Sequence, residues 1–205
     1  MSEKLVLIDG HSILNRAFFG LPDLTNSEGL HTNAVYGFLN ILFKILEEEQ
    51  PDYLTVAFDV HAPTFRHKMY DAYKGTRKPM AEELRQQVPL MKEMLAAMGV
   101  CTIEMEGYEA DDFLGTFANK AKQNGKEAYI LTGDRDALQL IDENITVLLA
   151  ANSETIHFDT NEFVRRYGVS PTQFVDVKAL MGDKSDNIPG AVSYTHLTLP
   201  TKRIV

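Results

Sequence analysis

Residues 4–12 read Lys4-Leu5-Val6-Leu7-Ile8-Asp9-Gly10-His11-Ser12. An apolar run of four followed by Asp-Gly describes a short buried strand that ends in a carboxylate. The apolar spacing over His11 to Phe19 predicts a helix directly after it. The same unit recurs downstream. Asn33 to Glu49 carries Val35, Phe38, Leu39, Leu42, Ile45 and Leu46 on one stripe and stops before Pro51, which cannot continue a helix. Tyr53 to Phe58 predicts a second strand, ending at Asp59. Further along, Glu82 to Met98 predicts a helix marked by Leu84, Val88, Met91 and Leu95, and Val100 to Ile103 a third strand. Tyr108 to Gln123 predicts a helix, Glu127 to Leu131 a fourth strand and Arg135 to Ile141 a helix. Ile145 to Leu149 and Glu154 to Phe158 read as further short strands. Strands alternating with helices predict an α/β fold with a mostly parallel central sheet and helices on both faces.

In such sheets ligands gather beyond the carboxyl ends of the strands, near the reversal of strand order. Asp9 follows LVLI, Asp59 follows LTVAF and Asp134 follows YILTG, so three strands deliver a carboxylate to one edge. More acids lie in YEADD (Glu109, Asp111, Asp112), in TGDRD (Asp134, Asp136) and in GDKSD (Asp183, Asp186). Each alone is more often ordinary: a helix cap, a first-turn acid complementing the helix dipole, or a solvated loop acid. Together, carboxylates this dense repel one another unless cations neutralise them. Mg²⁺ takes oxygen ligands and retains waters, whereas zinc would want His or Cys at ligand spacing, which His11, His61 and His67 do not show. Two such ions suit phosphodiester hydrolysis, in which a water is activated and both phosphate and leaving oxygen gain negative charge.

The chain has 205 residues, 44% hydrophobic and 24% charged, which suits a globular domain with its own core. Its single cysteine, Cys101, excludes an intramolecular disulfide and a thiolate metal cage. The early apolar run is too short for a signal segment or a membrane span, so no membrane association and a cytoplasmic location are expected. No coiled-coil heptad stands out, and a monomer is the expected state. A net charge of −9 argues against broad attachment to nucleic acid. Thr64 to Lys78 is the exception, with Arg66, Lys68, Lys74, Arg77 and Lys78 against Asp71 alone.

The strings LVLIDGHSILNRAFF (5–19), VAFDVHAPTFRHKMYDAYKGTRKPM (56–80), GYEADDFLGT (107–116), LTGDRDALQL (131–140) and LMGDKSDNIPG (180–190) resemble the successive motifs of the 5′-nuclease domains of bacterial DNA polymerase I. That family is related to flap endonucleases and phage exonucleases. The resemblance implies a PIN-like 5′-nuclease fold with a helical arch after the second strand. It implies metal-dependent 5′-3′ exonuclease and 5′-flap endonuclease activity on DNA flaps, nicks and gaps, as in primer removal and repair. Asp9, Asp59, Glu109, Asp111 and Asp112 would form the inner metal site, and Asp134, Asp136, Asp183 and Asp186 the second site or its hydrated shell. The cofactor would be two or more Mg²⁺ ions, with Mn²⁺ as a substitute. Alongside Asp9 and Asp59, Lys74 and Arg77 would serve the chemistry. Arg66, Lys74, Arg77 and Lys78 would hold phosphates, and Tyr70 and Tyr73 would stack on bases or pack within the helical segment.

The resemblance covers 1–190 as a nuclease domain. Beyond Gly190 the family continues into a helix-hairpin-helix and, in the intact parent chain, a polymerase domain. Residues 191–205 read AVSYTHLTLPTKRIV instead, a tail expected to be non-native. Two other readings remain: a PIN-type ribonuclease, which would lack the basic insertion, and a truncated, catalytically weak DNA-binding fragment.

Overall fold

A computed structural model of the chain describes residues 2–151 and 154–191. Six strands form one sheet in the order β3-β2-β1-β4-β5-β6. They are β1 (Lys4–Asp9), β2 (Tyr53–Ala57), β3 (Cys101–Ile103), β4 (Glu127–Thr132), β5 (Ile145–Ala150) and β6 (Thr155–Phe158). All neighbours are parallel except the β5–β6 edge pair, which is antiparallel. The order runs outward from β1 in one direction and from β4 in the other, so the reversal lies between β1 and β4.

Alternation along β1 explains the two apolar parities of LVLI. Val6 and Ile8 face one side, where α1 (Gly10–Gly20), α2 (Asn33–Glu49) and α5 (Gln87–Ala97) supply Leu14, Phe38, Leu42, Ile45, Met91 and Leu95. Leu7 faces the other side, where α6 (Ala110–Gln123), α7 (Thr160–Tyr167) and α8 (Phe174–Met181) bring Leu114, Ala118, Phe163 and Phe174. Helices on both faces leave the strand ends as the place where polar groups from several elements meet.

The expected elements recur with four differences. The helix expected over Glu82 to Met98 is divided at Gln86 into α4 (Glu82–Arg85) and α5. Pro89 has no N–H for the Arg85 carbonyl and its ring crowds that carbonyl, so proline is accommodated in the first turn of a new helix. The helix expected over Arg135 to Ile141 is a 3-10 helix, Arg135–Leu140. The basic stretch forms one short helix, α3 (Phe65–Met69), followed by turns rather than a continuous helical arch; Gly75 and Pro79 interrupt it. Finally, α7 and α8 extend the fold beyond the last expected strand. The expected tail lies outside the described residues except for Ala191.

Candidate metal centre

The site is built where β1 and β4 part. Asp9 ends β1 and caps α1, its Oδ1 accepting from the Ser12 N–H at 3.0 Å and its Oδ2 from Thr132 Oγ1 at 2.9 Å. Asp59, just past β2, accepts from the Ala110 N–H at 2.7 Å, which places its carboxylate at the N-terminus of α6. Its own N–H donates to His11 Nδ1 at 3.1 Å. Glu109 is the cap residue of α6 and Asp111 lies in that helix's first turn. Asp134 caps the 3-10 helix and accepts from the Asp136 N–H at 2.8 Å.

Asp9, Asp59, Glu109, Asp111, Asp134, Asp136 and Asp186 line one cleft of about 220 Å³ together with Lys74 and Arg77. His11, Ser12 and Asn15 of α1 and Ala110 of α6 also line it. The charges are costly. Burial, then repulsion from Asp9, Asp134 and Asp59, pushes the Asp111 carboxyl up to about 8. Burial raises Asp9 to about 6 despite the hydrogen bonds from Ser12 and Thr132.

Two of the expected ligands turn away from this cleft. Burial works against the charge on Asp112, but a bidentate pair with Arg66 (2.9 and 2.7 Å) and the Glu109 N–H (2.9 Å) hold its carboxyl below the usual range. Asp183 is also held low, against burial, by Ser185 and by Lys178 at 2.9 Å. Lys178 bridges Asp183 to Asp136, at 2.7 Å from the latter. Nothing in the sequence pattern singles out Lys178.

The basic stretch lies back on the acids. Lys74 Nζ stands 2.9 Å from Glu109 Oε1, and Arg77 pairs with Asp186. The chain around Lys74 takes a left-handed φ of 55°, a costly conformation for a side-chain-bearing residue, secured by its N–H donating to the Asp186 carbonyl at 2.9 Å. Asn187 Nδ2 donates to the Ala72 carbonyl at 2.8 Å, so the GDKSDNIPG loop braces this stretch. Tyr73, expected to stack on bases or to pack, packs: it is buried and donates to Glu109 Oε2 at 3.0 Å. Tyr70 is exposed, as is Lys78. Arg66 is committed to Asp112 instead of standing free for phosphate.

Among the described residues no three acidic, histidine or cysteine side chains close on one point as a ready-made ion cage. The donor set nevertheless fits a hydrated hard cation. It is all oxygen, its charges repel one another, and ions of this kind keep several waters between themselves and their carboxylates.

A family model described as 5'-3' exonuclease, N-terminal resolvase-like domain, matches residues 4–168. The DNA polymerase I of Bacillus caldotenax is 52% identical over 192 residues, which are 93% of this chain and 22% of that protein. The 5'-3' exonuclease of Aquifex aeolicus is 42% identical over 188 residues, 92% of this chain and 64% of its own length. The fold is shared with the flap endonuclease of bacteriophage T5, solved as a complex with DNA and metal ions. The TM-score is 0.76 at 19% identity, covering 94% of this chain and 71% of the other. The chain thus spans about a fifth of the curated polymerases it matches. The chain, with its strand-end acids brought to a single cleft, matches that family model over most of its length and belongs to the 5'-3' exonuclease family, of which it carries the N-terminal resolvase-like domain.

Proposed function

We propose that this chain is a divalent-cation-dependent nuclease that hydrolyses DNA phosphodiesters, acting from 5′ ends and at 5′ flaps, nicks and gaps. The observation that carries this reading is the convergence of Asp9, Asp59, Asp111 and Asp134 from separate elements into one cleft that also holds Lys74 and Arg77. Family membership supports it, as does the DNA-bound, metal-bound state of the T5 enzyme of the same fold.

Asp9, Asp59, Glu109, Asp111 and Asp134 are the residues that would hold the cations, with Mg²⁺ as the ion and Mn²⁺ as its substitute; Asp136 and Asp186 would serve through water. Bound there, such ions supply an activated water and neutralise the charge that develops on the phosphate. The chain's own residues do the rest. Lys74 and Arg77, paired with Glu109 and Asp186, stand close enough to the cleft to exchange a carboxylate for a phosphate oxygen. Asp112 contributes indirectly, by fixing Arg66 and the first turn of α6. Exposed Tyr70 and Lys78 extend the same edge and suit contact with the incoming strand.

Cleavage of a 5′-flap DNA, an equivalent RNA and a blunt duplex, each with Mg²⁺ or EDTA, tests the reading. Mg²⁺-dependent cutting at the flap junction, abolished by Asp111→Asn, is expected. RNA cleaved in preference to the flap would favour the PIN-type ribonuclease. A folded chain that binds flap DNA without cutting it would make this a binding fragment.

A further inference from the structure

Thr132 closes β4 as a polar residue directly after the buried Ile130 and Leu131, and it is completely buried. Its hydroxyl has two partners, and both belong to the cleft. The Asp134 N–H donates to Thr132 Oγ1 at 3.0 Å, which leaves the hydroxyl proton for Asp9 Oδ2 at 2.9 Å. One oxygen therefore ties the carboxylate that ends β1 to the backbone carrying the carboxylate beyond β4, across the reversal of strand order. Ser12 makes the reciprocal stitch: its N–H donates to Asp9 Oδ1 at 3.0 Å and its Oγ accepts from the Gly133 N–H at 2.8 Å.

We propose that Thr132 is a positioning residue of the cation site, orienting the Asp9 carboxylate and fixing its spacing from Asp134. The inference rests on the metal-dependent reading above. Both oxygens of Asp9 already accept one hydrogen bond each, so the direction of the remaining lone pairs is set before any ion arrives. A valine has the same shape and would fill the strand end equally well, yet it would free Asp9 Oδ2 to rotate and leave the Asp134 N–H without its acceptor. Partners of this kind, which hold a ligand rather than the ion, typically change metal affinity by about 10–100-fold when removed.

Calorimetric titration of the chain with Mn²⁺, without DNA, reads the effect directly, and melting in EDTA reads folding separately. Thr132→Val is expected to weaken Mn²⁺ binding about tenfold or more, and Thr132→Ser, which restores the hydroxyl, to bind within a few-fold of the parent. Should the valine variant fail to fold, Thr132→Ala removes the same hydroxyl with less bulk. Parent-like Mn²⁺ affinity in the folded valine or alanine variant overturns the proposal, as does a folded serine variant that fails to restore binding. Asp9→Asn and Asp134→Asn serve as controls: if they too leave Mn²⁺ binding intact, the cation site itself has been misplaced.

Discussion

At the scale of single residues, Gly10 follows the strand-end carboxylate Asp9, and the structure gives the glycine a packing reason. Gly10 is the first residue of α1 and packs beneath Phe58; a Cβ there would stand 2.4 Å from Phe58 Cε1 and 2.7 Å from Cδ1. The ring has little freedom to move, being buried, with the Lys92 ammonium 5.0 Å from its centroid. Gly10→Ala is therefore expected to cost about 1–3 kcal/mol through overpacking, measured by urea unfolding; a loss of only a few tenths would mean that the ring relaxes freely. The strand-end acids Asp9, Asp59 and Asp134 were legible because a strand end fixes where a side chain emerges. Asp111 and Asp112 were not separable: consecutive helix positions point about 100° apart, and only the packing of α6 decides which one faces the cleft. Tyr73 likewise hid its role, since an aromatic between cations suits base stacking and burial alike.

Among elements, most strands and the long helices were legible from their periodicity, and α2 keeps the bounds its apolar stripe predicts. How α2 begins was not. Thr32 makes no side-chain cap bond, and the buried Gln87 on α5 takes that place. Its Oε1 accepts from the Ala34 and Val35 N–H groups at 2.8 and 3.2 Å, while its Nε2 donates to Asn33 Oδ1 and the Glu83 carbonyl, both at 3.0 Å. A cap supplied from 53 positions away leaves no local signature. The break at Gln86 belongs to the same arrangement, since α5 starts at the residue that reaches α2. Gln87→Leu keeps the volume but strands these buried donors and acceptors, at a cost of about 2–3 kcal/mol. The expected result is a lower denaturation midpoint with unchanged Mn²⁺ affinity, because the site lies elsewhere. An unaltered midpoint would show that water or a neighbouring group replaces the glutamine.

For the molecule as a whole, the sequence announced an acidic protein with one cationic stretch, and the fold turns that imbalance into a site that works against the chain's own stability. Asp111 at about 8 and Asp9 at about 6 stand well above an ordinary carboxyl, with burial as the leading cause for both. A carboxyl raised in the folded state binds its proton more tightly there than in the unfolded chain, so stability declines as pH rises from the usual carboxylate range toward the raised value. Without divalent ions, melting in EDTA is therefore expected to fall between pH 5 and pH 8. At about 2–4 °C per kcal/mol for a chain of this size, a drop of several degrees is the scale to look for. Mg²⁺ should reverse most of it at pH 8 and little at pH 5, where the site is partly protonated and the ion must compete with protons. Asp111→Asn removes the most strongly raised group, so that variant should melt higher than the parent in EDTA at pH 8 and gain less from Mg²⁺. A melting temperature that stays level across this range, in parent and variant alike, would mean that Lys74, Arg77 and Lys178 already neutralise the cleft and leave no charge deficit for a cation to fill.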